Sequence, residues 1–227
     1  MTLRTNAKIA GIAFLAYIAL GLLAMTLHGQ AQEGDDIVAQ LASIAEHSSQ
    51  LKLAAVLDML CAFAAIILGV TLFALTREVD SHLAMFGLAC RVAEGIVAGV
   101  SVQASLGLVW LANAVGSGAS NAESVNAIAA WLLGTEWSYL VAATFFAAGS
   151  TAFSWLFVRG RLIPIALAWL GVIASALLVL GLLLQLGGFV PSAALWAVWI
   201  PMAVFEVVLA VLLIAKGVAI PRRSVAA

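Results

Sequence analysis

Residues 83–115 read LAMFGLACRVAEGIVAGVSVQASLGLVWLANAV, an apolar run broken in its first third by Arg91-Val92-Ala93-Glu94. The run exceeds the roughly 20 apolar residues that a helix needs to cross a hydrocarbon layer. Residues three apart share one face of a helix, so a guanidinium and a carboxylate stand one turn apart inside this stretch. A charge at mid-bilayer costs a few kcal/mol or more when it meets lipid, so both groups are expected to face the interior of a helix bundle. One stretch thus sets the fold class and locates a polar centre.

The rest of the chain agrees. Of its 227 residues 65% are hydrophobic and only 9% are charged, and the mean hydropathy is +1.16. Soluble domains carry about a quarter charged residues, so this is the composition of a membrane protein. A formal net charge of −1 offers no electrostatic footprint for nucleic acid. Cys61 and Cys90 both lie in apolar runs, where thiols behave as small inert hydrophobes. They imply neither a disulfide framework nor a metal site.

Six spans satisfy the length criterion, over residues 9–27, 53–75, 83–115, 137–158, 162–185 and 195–215. The third is long enough that its ends must project or the helix must tilt. The first follows Arg4 and Lys8, and Gly29-Gln30-Ala31 would pass as a cleavage site, but its apolar core is too long for a secretory signal. Arg4, Lys8, Arg77, Arg159, Arg161, Lys216, Arg222 and Arg223 fall on one side of this arrangement and Lys52 alone on the other. The positive-inside rule then puts both termini in the cytoplasm. Trp110, Trp131, Trp137, Tyr139, Trp196 and Trp199 fall toward the outer interface and Trp155 toward the inner one, levels that suit amphipathic rings. Trp169 and Trp199 fit packing between helices equally well.

Two outer connections carry helical periodicity. After Glu33-Gly34-Asp35-Asp36, Ile37, Leu41 and Ile44 recur on one stripe; after Gly116-Ser117-Gly118-Ala119-Ser120-Asn121, Val125, Ile128 and Leu132 do, with Ser124 as a candidate cap. Both are expected as short amphipathic helices at the outer surface, either a lid or a shortened connection. Pro164 is placed at the start of the fifth span, where its missing N–H is harmless. Pro201 lies inside the sixth and is expected to kink it. The architecture is therefore all-α: a single domain over residues 1–227, built as a six-transmembrane-helix bundle with short amphipathic outer-surface helices.

On a helical wheel Gly87, Arg91, Glu94, Gly95, Ala98, Ser101 and Ser105 form a small and polar stripe, opposite Ile96, Val100 and Leu111. Gly95 and Gly99 make a GxxxG that would admit a neighbouring helix. Asp58, Ala62, Ala65 and Gly69 align in the second span, and Glu206 with Trp199, Met202, Ala203 and Ala210 in the sixth. From a 1.5 Å rise per residue, Arg91 lies roughly 12 Å, Glu94 roughly 17 Å and Glu206 roughly 15 Å from the cytoplasmic side, and Asp58 roughly 9 Å below the outer one. The second, third and sixth spans are expected to turn these groups toward a common interior.

Three carboxylates accompany one guanidinium, which does not give up its proton. A dry site of this kind must hold a proton, admit a cationic ligand or be wet. The candidate ligand- or proton-binding residues are Asp58, Arg91, Glu94, Glu206 and Trp199. No HExxH, GxSxG or phosphate-binding loop occurs, no metal set or cofactor is implied, and His28, His47 and His82 fall in connections. Asp58 with His28 or His47 is the one acid–base or metal alternative. Three functions remain open. One is a binding or transport module for protons or a small amphipathic or cationic ligand, drawn from the outer side or from the bilayer. A second is an intramembrane enzyme on a lipid or isoprenoid, against which the lack of a nucleophile or central histidine weighs. The third is an accessory protein in which Arg91 clamps the third span to the sixth through Glu206.

Several segments together resemble a family. They are Ala10-Gly11-Ile12, then Ile44-Ala45-Glu46-His47 with Leu53 and Asp58, the Arg91-x-x-Glu94 pair, Phe157-Val158-Arg159 leading to Leu162-Ile163-Pro164, and Pro201 and Glu206 followed by Lys216-Gly217. Over residues 9–218 they resemble the bacterial six-span proteins grouped as domain of unknown function 4386. Ile165 stands where a basic residue usually follows the proline. The resemblance implies six spans in a bacterial cytoplasmic membrane and no assigned activity.

Overall fold

A computed structural model describes residues 2–116, 122–134 and 137–219. Every regular element among them is helical: α1 (Leu3–Ala31), α2 (Ile37–Glu46), α3 (Ser48–Thr76), α4 (Ser81–Gly116), α5 (Ala122–Gly134), α6 (Trp137–Gly160), α7 (Ile165–Leu186) and α8 (Ser192–Ala215). Six helices are long and apolar enough to cross a membrane, namely α1, α3, α4, α6, α7 and α8. The expected spans lie within these helices apart from a short overhang at residues 162–164, and most of the helices run several residues further, α1 through Gly29 to Ala31. Residues 117–121 and the basic Arg222 and Arg223 lie outside the described residues, and the side chain of Trp137 is not described.

The surface is apolar where the helices are longest. Ile12, Leu22, Phe63, Ile96, Val100 and Val211 are each more than half exposed. Such side chains meet hydrocarbon without cost but would be a large liability in water. The described chain divides into two compact units, and α1, α3, α4 and α6 contribute a stretch to each: Met1–Ala16, Phe63–Gly95 and Leu140–Ala227 form one, and Tyr17–Ala62 and Ile96–Tyr139 the other.

In the first unit α7 and α8 pack along each other. Pro164 caps α7, its carbonyl accepting from the Ala168 N–H at 3.1 Å. The turn before α4 is fastened twice: Asp80 accepts from the Leu83 N–H at 3.1 Å and from the Arg159 guanidinium at 2.7 Å. The Leu83 N–H and then the Arg159 charge hold the Asp80 carboxyl below its ordinary value. Thr151 on α6 donates to Ser175 on α7 at 2.9 Å. The α8 helix runs unbroken through Pro201.

The second unit contains the two amphipathic helices. Asp36 caps α2 by accepting from the Ala39 N–H at 2.7 Å. Leu41 and Ile44 of α2 join Leu108, Val109, Leu111 and Ala112 of α4 and Val125 and Ala129 of α5 in one apolar core. Three expectations change here. Leu111, placed opposite the polar stripe with Ile96 and Val100, is 4% exposed because α2 and α5 give the C-terminal end of α4 something to bury against. Ile128 is 51% exposed, and Ala129 takes the buried position in its place. Ser124 lies within the first turn of α5, which starts at Ala122, so it is not the cap.

Candidate functional site

Arg91 projects from α4 in the first unit and is 1% exposed. A glycine makes room for its stem. A Cβ on Gly69 of α3 would stand 2.8 Å from the Arg91 Cβ, so only a residue without a side chain lets α3 come this near the arginine. On α6 a Cβ at Gly149 would stand 3.0 Å from the Cys90 Cβ and at an ordinary 3.6 Å from the Arg91 Cδ. The expected GxxxG works differently: a Cβ on Gly99 would meet Met59 Cε at an ordinary 3.8 Å. The tight approach therefore occurs at Gly69 and Gly149.

The guanidinium Nη1 lies 3.0 Å from the Glu94 carboxylate, one turn along the same helix. Its carbon stands 5.1 Å from the centre of the Phe146 ring on α6, within cation–π range. The other ring neighbour of Phe146 is Trp199 on α8, stacked with centroids 5.8 Å apart and planes inclined by 24°. Glu206, two turns from Trp199 on α8, lies within electrostatic reach of both Arg91 and Glu94. Glu94 and Glu206 are 2% and 6% exposed. The Glu206 Oε1 is buried and accepts no hydrogen bond.

Four of the five candidate residues thus share the first unit. Arg91, Glu94 and Glu206 are closed off, and Trp199 is half-buried. Met202 and Ala210 are buried on the Glu206 side of α8 as expected, but Ala203 is exposed, since the interior stripe narrows where α8 meets its neighbours.

Asp58 belongs to the second unit. Its Oδ2 stands 2.8 Å from Nε2 of His28 in the last turn of α1, with both side chains partly exposed. Of the two histidines that the sequence offered to Asp58, His28 is the one in contact, and α1 continues four residues past its expected end so that His28 stands on a helix instead of in a loop. The Cys61 thiol, one turn from Asp58, donates to the Tyr17 carbonyl at 3.6 Å. Among the described residues no group of three or more His, Cys, Asp or Glu side chains could hold a metal ion. A groove of about 480 Å³ is lined by Leu3, Asn6, Val70, Ala74, Arg77 and Glu78, and none of the five candidates borders it.

Gly69 was aligned in the sequence with Asp58, Ala62 and Ala65, but Phe146 and Gly149 were not singled out. The signal for both was present: Ala142, Phe146, Gly149 and Phe153 recur at helical spacing and all are buried.

Six long apolar helices and a buried ionic centre define a membrane-spanning helical protein. The chain belongs to the family described as Domain of unknown function (DUF4386), whose model matches residues 9–217. No curated protein and no solved structure matches it.

Proposed function

We propose that this protein is an integral membrane binding or transport module whose working group is Glu206, taking up a proton or a small cationic or amphipathic ligand. The observation that carries this reading is the buried Glu206 carboxylate, whose Oε1 accepts no hydrogen bond although it lies within electrostatic reach of Arg91 and Glu94. Two carboxylates against one guanidinium leave one negative charge in an apolar setting. Burial of a lone carboxylate is costly enough that a proton or cation joins it. Arg91 organises the two carboxylates, and Trp199 and Phe146 form the aromatic wall. The whole chain acts as one domain in a bacterial cytoplasmic membrane, with both termini in the cytoplasm, as the one-sided distribution of Lys and Arg favours.

Carbodiimides that partition into membranes react with protonated carboxyls in apolar surroundings. Treatment with dicyclohexylcarbodiimide is expected to modify Glu206 in the folded protein, with an extent that falls as pH rises, and the Glu206→Gln variant loses the adduct. A Glu206 that stays unmodified at every pH where the protein remains folded refutes the reading.

The His28–Asp58 contact favours a second reading, an enzyme acting on a membrane lipid, because a carboxylate can orient an imidazole for base catalysis. Turnover of bilayer lipids that disappears in His28→Gln would support it.

A further inference from the structure

We propose that the groove between α1 and α3 binds one phospholipid with a zwitterionic head group, a phosphodiester joined to a primary ammonium. The groove holds about 480 Å³, within the range of about 300–1,000 Å³ usual for small-molecule sites. Leu3 and Asn6 line it from the first turns of α1 and Val70 and Ala74 from the last turns of α3, while Arg77 and Glu78 follow directly where α3 ends at Thr76. All six belong to the first compact unit. A helix long and apolar enough to cross a membrane leaves the hydrocarbon at its ends, so the groove opens at the level of lipid head groups.

Asn6 calls for a ligand. It is 9% exposed, and its backbone N–H donates to the Thr2 carbonyl at 3.1 Å. Its side-chain amide has no hydrogen-bond partner among the described residues. An amide brings two N–H donors and an acceptor oxygen, and leaving such a group buried and unmatched is costly.

The charges at the mouth come with opposite signs. Arg77 Nε stands 3.8 Å from the Glu78 carboxylate, and both side chains are more than half exposed. A contact so long and so wet is weak, and a ligand displaces it at little cost. A guanidinium forks onto phosphate oxygens, and a carboxylate accepts from an ammonium. A purely anionic head group would set its phosphate beside Glu78 with nothing to answer that carboxylate. One that carries phosphate and ammonium answers both charges, and the Asn6 amide donates to a phosphate or ester oxygen.

The apolar half of the site selects a lipid over a soluble phosphate ester. Phe63, Ile67 and Val70 share one face of α3 with Ala74, and each of the three is about half exposed. This stripe leads into the groove at Val70. From Phe63 to Ala74 it runs roughly 16 Å, half the depth of a hydrocarbon layer of about 30 Å and so one leaflet deep. An acyl chain lies along it while the head group fills the groove.

The test is native mass spectrometry of the full-length protein released from detergent and titrated with phosphatidylethanolamine. One lipid per chain is expected to bind saturably, about tenfold more tightly than phosphatidylglycerol, which lacks the ammonium. Arg77→Gln should weaken phosphatidylethanolamine binding by about tenfold and Asn6→Ala by about fivefold. Glu78→Gln should erase the preference over phosphatidylglycerol. Arg77 and Glu78 are exposed, so their variants should keep the wild-type melting temperature and carry the test by themselves. Equal binding of the two lipids to the wild type overturns the proposal, and so does binding left unchanged by both Arg77→Gln and Glu78→Gln. Soluble phosphoethanolamine bound as tightly as the lipid also overturns it, because the bilayer would not then be the source.

Discussion

Arg91→Met removes the guanidinium from a side chain that is 1% exposed and strips Glu94, itself 2% exposed, of its partner at 3.0 Å. Breaking a buried pair from one side costs about 3–5 kcal/mol, because the orphaned charge stays buried. Removing both members, in Arg91→Met/Glu94→Gln, should return most of that loss, since an apolar replacement of a buried pair is close to neutral. The double-mutant cycle should therefore give a coupling of about 2–3 kcal/mol between Arg91 and Glu94. The cycle with Glu206→Gln should give under about 1 kcal/mol, because Glu206 is within electrostatic reach of Arg91 without closing a hydrogen bond at Oε1. The assay is thermal unfolding in detergent, followed by labelling of the buried Cys90 thiol in a Cys61→Ala background. A coupling to Glu206 larger than that to Glu94 would refute the reasoning. It would mean that the guanidinium clamps α4 to α8 and that Glu206 is not available to a ligand.

Three further outcomes are expected. Gly69→Ala would place a Cβ 2.8 Å from the Arg91 Cβ, roughly 0.7 Å short of the carbon–carbon optimum, and should destabilise by about 1–3 kcal/mol; Gly99→Ala meets only an ordinary contact and should be neutral or stabilising by up to about 1 kcal/mol in the same melts. Asp80 has its folded pKa depressed below 3.8 by the Leu83 N–H and by Arg159, so its contribution is complete above that value and lost as pH falls through the folded one. The stability gap between wild type and Asp80→Asn, measured by melts across an acid series, should accordingly be constant near neutrality and close in acid. His28→Gln and Asp58→Asn should be non-additive by about 1 kcal/mol, because each removes the same 2.8 Å contact; strict additivity would show that the contact does not persist in solution.

The Arg91–Glu94 pairing was readable in advance because both residues lie on one helix, where spacing alone fixes their separation. Asp58 was not readable in the same way. A wheel places it on the small-residue face of α3, but its partner depends on how far α1 continues before it ends, and that depends on the helix end and not on hydropathy. Leu111 shows a related limit. Its position opposite the polar stripe says lipid, yet a helix of 36 residues is about 54 Å long and exceeds a hydrocarbon layer of about 30 Å, so part of it lies outside the layer. What covers the C-terminal end of that helix, α2 and α5, decides the environment of Leu111.

By itself the amino-acid sequence determined the helical class, the six spans and the family, because a bilayer leaves the backbone of a long apolar segment no alternative to a helix. It also determined that charge sits at mid-span in excess of its compensation, a matter of counting. Only the tertiary structure decided that Gly69 lets α3 close on the arginine, that Phe146 lies against the guanidinium and stacks on Trp199, and that Glu206 Oε1 accepts no hydrogen bond. Those contacts join residues from different helices, and their distances follow from how the helices cross, which no periodicity along a single helix contains.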